Sequence, residues 1–357
     1  MTYAYAYVGS RTTRERNARG AGISAYAYDA ATGALKLAHV KSSLTNPSYL
    51  AVNRRGDRLY TVHGDGNAVS VLSIEAGSGA LRQLQYRECA GRNLVHLALS
   101  PQERFLAVAD HLGNNGGTII VFPLRGDGTL DPASEQIGLP GDPGPHRTEQ
   151  PHAKPHATSF TPDGRFLIVP DKGLDRVFSL QATHSGLDRS SLTWAQAREA
   201  SGPRHVALHP TAPYAYVINE LDSTIVTHRI NPESGAMTPL QVLSSLPDTY
   251  TGNNRAAGIT VSADGHTLYA SNRGHDSITV FRIDRDTGFL AYAQSISSQG
   301  AKPRHFTLSP DGAWLYALNE DSDSIALFAV DKTTGLLSGR GVAAACGSPV
   351  CMVFAAC

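Results

Sequence analysis

One short motif recurs seven times along this chain: a polar or acidic residue, a short spacer, a glycine, one or two residues, then an apolar side chain. It appears as Asp29-Ala30-Ala31-Thr32-Gly33-Ala34-Leu35, Ser78-Gly79-Ala80-Leu81, Asp127-Gly128-Thr129-Leu130 and Ser185-Gly186-Leu187. It returns as Glu233-Ser234-Gly235-Ala236-Met237, Asp286-Thr287-Gly288-Phe289-Leu290 and Thr334-Gly335-Leu336-Leu337. Successive glycines lie 46, 49, 58, 49, 53 and 47 residues apart. Each copy has the chemistry of a tight turn, with glycine free to take positive φ. A period of about 40–50 residues is that of a propeller blade.

A second motif runs in phase with the first. Its clearest copy, Pro303 to Glu320, alternates apolar and polar residues, turns at Ser309-Pro310-Asp311-Gly312, then alternates again. Equivalent segments begin at Pro47, Leu94, Pro155, Pro203 and Ala256, and a third strand such as Ser277–Ile283 leads into each glycine turn. Four short strands per repeat make six complete internal blades. The C-terminal segment from Ser348 supplies only the first strand of a seventh, and Tyr5–Val8 with Ile23–Tyr28 supply the missing ones. Both termini in one blade leave no open sheet edge in the ring. The expectation is an all-β, seven-bladed β-propeller with four antiparallel strands per blade, a single domain over residues 1–357.

Composition narrows the function. Lys plus Arg is 31 and Asp plus Glu is 31, a net charge of zero, so there is no cationic surplus of the kind nucleic-acid binding requires. No apolar run approaches the ~18 residues of a membrane helix, and Met1–Val8 alternates without a basic or continuous apolar stretch. Cys89, Cys346, Cys351 and Cys357 make neither a disulfide framework nor a zinc-ribbon spacing, and free thiols point to the cytoplasm. No nucleic-acid or membrane partner is expected.

Aligning the blades exposes two columns. The first position of the innermost strand carries Ser48, Val95, His156, Arg204, Ala257, Arg304 and Val350. The end of the second strand carries Gly64, His111, Lys172, Glu220, Arg273 and Glu320, with Arg11 as the N-terminal counterpart. Antiparallel neighbours bring the start of one strand beside the end of the next, so both columns should line one mouth of the central channel. Packing alone would call for small or apolar residues there.

The segments Lys154–Gly164, Gly202-Pro203-Arg204-His205, Ala215–Leu221 and Leu268–Arg273 resemble the seven-bladed lactonase family, which includes bacterial 6-phosphogluconolactonase and fungal 3-carboxy-cis,cis-muconate cyclase. The resemblance covers essentially the whole chain. It implies a catalytic quartet at His156, Arg204, Glu220 and Arg273, and it implies no metal or other cofactor. It supports the family more strongly than either branch.

The residue chemistry fits. Opening a lactone needs an activated water and a stabilised oxyanion. Glu220 or His156 is the candidate base, and the two guanidiniums suit the carbonyl oxygen or an anionic substrate group. Arginines should keep Glu220 ionised, and its charge should favour a protonated His156. Against this stands the plain alternative that Glu220 and Arg204 pair only to stitch neighbouring blades.

Lys172, His152 and Arg11 are further candidate substrate contacts. His152, His156 and Asp171 lack any compact metal-ligand spacing. Gly113–Gly117 opens no helix and is a turn rather than a phosphate loop. The Pro/Gly-rich stretch Gly138–Lys154, the longest break in the repeat, is either a lid that brings His146, Arg147 and His152 to the site or tolerated surface length. Three functions remain open: hydrolysis of a sugar lactone such as 6-phosphogluconolactone or gluconolactone, lactonising cyclisation of a carboxymuconate, and a non-catalytic interaction scaffold.

Overall fold

A computed structural model describes residues 3–356. Seven four-stranded antiparallel sheets follow one another around a ring. Calling the strands of each blade A to D from the centre outwards, blades 1 to 6 run from Pro47, Leu94, Ser159, Pro203, Arg255 and Pro303. Blade 7 takes strand A from Pro349–Ala356 and strands B to D from Tyr3–Ser10, Ile23–Tyr28 and Leu35–Lys41. Its closing register sets Tyr7 opposite Val353 and Gly9 opposite Cys351. The repeat arithmetic therefore holds, including the closure. Among the described residues the only helical turn is the three-residue 3-10 segment Arg14–Arg16, so no helix is long enough to cross a membrane. Cys89, Cys346 and Cys351 are free thiols, and Cys357 lies outside the described residues.

The core is distributed. Seven apolar clusters each fill the gap between two adjacent blades. Alternation along each strand makes this possible, because both faces of a blade are covered by its neighbours. The glycine turns lock onto the ring as well. Tyr7, Tyr60, Tyr216, Tyr269 and Tyr316, all fully buried, donate their hydroxyls to the carbonyls of Gly79, Gly128, Gly288, Gly335 and Gly33 in the next blade. The corresponding positions before blades 3 and 4 are Ala107 and Ile168, which have no hydroxyl to donate.

Blade 3 departs from the pattern at its centre. Its strand A is ladder-paired only at Ser159–Phe160, preceded by an isolated bridge between Pro155 and Asp171. The peeled segment carries His156, and Thr158 turns towards blade 2, donating its hydroxyl to the Ala107 carbonyl. In blades 1, 2, 4, 6 and 7 strand A shifts register between its first and third residues, as at Pro203/His205. That bulge brings Arg204 beside the end of strand B.

Candidate active site at the channel mouth

Glu220 is the hub of the mouth. Just past strand B of blade 4 the chain is locked to the residues leading into strand A by hydrogen bonds from Glu220 N to Gly202 O (2.8 Å) and from Leu221 N to Ser201 O (2.9 Å). From this fixed backbone the carboxylate projects among cations of three blades. Arg204 Nε donates to Oε2 at 3.0 Å, and Arg273 Nη2 lies 3.2 Å from the same oxygen. Lys172 Nζ donates to Oε1 at 2.9 Å and Arg255 Nη1 donates to it at 3.1 Å. The Arg204 guanidinium is tethered a second time, donating from Nη1 to Ala257 O at 2.7 Å. Arg273 is anchored likewise to Ala256 O at 3.2 Å. Arg204 and Glu220 belong to one blade, so the carboxylate does not simply tie two neighbours; it gathers blades 3, 4 and 5 onto one point.

The electrostatics follow from this packing. Burial alone would raise the Glu220 carboxyl, but Arg273, Lys172 and Arg204 outweigh it and hold it well below the usual carboxylate range. A carboxylate so satisfied is a poor proton acceptor. It is instead a clamp that fixes two guanidiniums whose planar forks cannot rotate away.

His156 is the correction to the sequence expectation. Burial first, then Arg204, His111 and His205, drive its pKa well below the ordinary imidazole value, and the opposing pull of Glu220 is too small to reverse this. The ring is neutral, not protonated, and its Nδ1 is buried without a hydrogen-bond partner. It sits in a file of rings descending the channel. The centroids of His111 and His156 are 5.2 Å apart, those of His156 and His205 5.3 Å, and those of His205 and His96 5.4 Å.

The other predicted contacts separate. Lys172 joins the hub directly. Arg11 lies across the mouth, paired with Asp65 at 3.2 Å and set 3.7 Å from Glu320, in a second charged group with Arg16 and Arg304. His152 turns back on its own loop, its Nδ1 2.7 Å from Ala153 O, and makes no described contact with the hub. Within the insertion, His146 lines the mouth, but the residue that reaches the charges is Glu149, which the sequence reading passed over. Its Oε2 accepts from Lys172 at 2.8 Å and its Oε1 accepts from Arg255 Nη2 at 2.6 Å. Arg255 was also missed, because it stands two places ahead of the strand-A column; in the fold it pairs directly with Arg273.

An open cavity of about 460 Å³ lies against this cluster, lined by His146, Leu221, Asn253, Asn254, Arg255 and Arg273. It can admit a small polar molecule whose acceptor oxygens meet the remaining N–H groups of Arg273 and Arg255. Among the described residues, no three His, Cys, Asp or Glu side chains are grouped as metal ligands would be.

Comparison with known proteins agrees with this fold. Residues 5–354 match the family described as "Lactonase, 7-bladed beta-propeller". The chain belongs to that family. It is 33% identical to 6-phosphogluconolactonase of Bacillus subtilis over 310 residues, 86% of this chain and 85% of that one. It is 29% identical to 6-phosphogluconolactonase of Formosa agariphila, over 84% of this chain and 85% of that one. The structure of the Pseudomonas aeruginosa periplasmic gluconolactonase superposes with a TM-score of 0.90 at 26% identity, covering 99% of both chains.

Proposed function

We propose that this propeller hydrolyses a sugar lactone, with 6-phosphogluconolactone as the favoured substrate and gluconolactone as the plain counterpart. The observation that carries the reading is the Glu220 hub, which holds buried Arg204 and also Arg273, a guanidinium lining an open polar cavity, in a chain of the lactonase family. The names of the relatives favour ring opening over the cyclisation of a muconate. A scaffold, for its part, has no use for a buried carboxylate that converges cations from three blades.

In this reading water attacks the lactone carbonyl carbon, a new carbon–oxygen bond forms, and the bond to the ring oxygen breaks. The developing oxyanion lies against Arg204 and Arg273, held in place by Glu220 before substrate arrives. In this reading the proton of the attacking water passes to the neutral His156 imidazole rather than to Glu220, whose two oxygens are engaged by four cations. That proton is returned to the ring oxygen as it leaves, and the product is the hydroxy acid. Lys172 and the outer arginines neutralise the anionic end of the substrate.

The test is a substrate panel with purified protein. Acid release from 6-phosphogluconolactone and gluconolactone is followed beside ultraviolet loss from carboxymuconate. Acid release above the spontaneous rate, abolished by Arg204→Gln, supports the reading. Turnover of the muconate alone overturns it.

A further inference from the structure

The insertion that interrupts the repeat is folded onto the site by its neighbour, not by Glu149. Gln150 is buried, its amide donates to Lys172 O at 2.9 Å, and its Oε1 accepts from His146 N at 3.0 Å. Gln150 N in turn donates to His146 O at 2.9 Å, and Gly144 N donates to Gly173 O at 2.8 Å. The loop is therefore fixed independently of Glu149, whose side chain is about a quarter exposed (24%) and can leave by rotation alone.

In place, the Glu149 carboxylate bridges Lys172 Nζ and Arg255 Nη2 with one oxygen on each. Those two cations also share Glu220 Oε1. Four cations thus stand against two carboxylates. Lys172 is buried, whereas Arg255 is nearly half exposed and borders the cavity. An anion entering that cavity meets the Lys172–Arg255 pair at the position the Glu149 oxygens hold.

We infer that Glu149 is an internal stand-in for the anionic group of the substrate: Lys172 and Arg255 form a seat for a phosphomonoester, filled by the Glu149 carboxylate in the free protein and surrendered by rotation when a phosphorylated lactone binds. This rests on the lactonase reading above and adds to it the residues that choose between phosphorylated and plain lactones. With Glu149 turned out and Glu220 retained, the cluster carries an excess of three positive charges. A phosphomonoester brings a charge of about −1.5 to −2 at neutral pH, which that excess accommodates better than a single carboxylate does. The competing internal anion lowers affinity for the phosphate and discourages weaker anions from lodging there.

The test uses two independent readouts on the full chain: calorimetric titration with inorganic phosphate, and the ratio of kcat/KM for 6-phosphogluconolactone to that for gluconolactone. Glu149→Gln should bind phosphate about tenfold more tightly, and the ratio should rise by a similar factor, because charge-assisted pairs of this kind contribute at that level. Arg255→Gln should weaken phosphate binding about tenfold and lower the ratio. Glu149→Asp, shorter by one methylene, should lie between wild type and Glu149→Gln. Phosphate affinity that is unchanged or weaker in both Glu149 variants overturns the seat, even if the protein is an active lactonase. The expected phosphate series in a protein that opens neither lactone leaves the seat standing and overturns the lactonase reading.

Discussion

Tyr316 of blade 6 donates its hydroxyl to the carbonyl of Gly33 in blade 7 at 2.7 Å, across the interface where the end of the chain meets its beginning. The same bond recurs at four other blade junctions, but here it joins residues 283 apart in sequence. Gly33 sits at φ 72°, with its Cβ position crowded by the Trp314 ring, so the turn is held by conformation, packing and one hydrogen bond together.

Replacing Tyr316 with Phe keeps the ring and removes the hydroxyl. The Gly33 carbonyl then loses its buried donor, at a cost of about 1–2 kcal/mol. Thermal melts should show a clear drop for Tyr316→Phe and a collapse of the whole transition when Ser348–Cys357 is deleted, since that deletion strips strand A from the closing blade. A truncated chain that melts like wild type would refute the closure.

That junction also shows what a sequence can reveal. The turn glycines, the strand alternation and the split seventh blade were legible because each obeys a local rule repeated seven times. Arg204, Glu220, Arg273 and Lys172 were legible as a departure from that rule. Glu149 was not, because it lies in the one stretch with no counterpart in other blades, and its partner Arg255 is 106 residues away. Arg11 and His152 occupy suggestive positions, yet Asp65 and the Ala153 carbonyl claim them. The protonation of His156 was misjudged for a physical reason. The sequence shows the nearby Glu220 carboxylate but not the depth of burial, which together with Arg204 dominates.

The buried histidines make acid stability a second prediction. Burial is the first cause for each: His96 and His111 are pulled down to about 3, His305 and His228 to about 4, and His205 moves in the same direction. The unfolded chain takes up protons below its ordinary value of about 6.5, while the folded chain refuses them, so stability is full above that pH and falls as pH drops below it. At pH 5 each histidine that stays neutral costs about 2 kcal/mol. The carboxylates act lower down. Glu149, brought to about 2 by Arg255 and Lys172 against the effect of burial, gives a contribution lost only below the ordinary carboxylate pKa. The melting temperature should therefore begin to fall near pH 6.5, not near 4.5. A flat profile down to pH 5 would show that these rings are already charged in the fold.

Activity should follow a different curve. With His156 neutral throughout, kcat/KM should show no inflection near pH 6.5 while the protein remains folded. An inflection there that disappears in His156→Asn would mean that the imidazole titrates in the free enzyme and that its burial is relieved at the mouth.

The sharpest prediction separates the hub from its look-alike. Glu220 and Glu320 occupy the same column in blades 4 and 6, and both carboxylates face arginines, Glu220 buried and Glu320 partly exposed. Glu220 touches four cations between 2.9 and 3.2 Å, whereas the nearest cations to Glu320 stand at 3.7 and 4.0 Å, and its Oε2 has no hydrogen-bond partner. Glu220→Gln keeps the shape and removes the charge that fixes Arg204 and Arg273, so turnover should fall by about 10²–10³-fold. Glu320→Gln should change it by less than about tenfold, the scale of a loosely held ion pair. Arg204→Lys keeps the charge but cannot reach both Glu220 Oε2 and Ala257 O in the fixed plane of a guanidinium, so it should resemble Glu220→Gln more than wild type. Circular dichroism and melts accompany each assay, because unpairing a buried charge also costs stability. Equal losses in Glu220→Gln and Glu320→Gln, with both proteins folded, would move the chemistry away from the hub. A loss confined to Glu220→Gln and Arg204→Lys would place the transition-state charge against the guanidiniums that Glu220 holds.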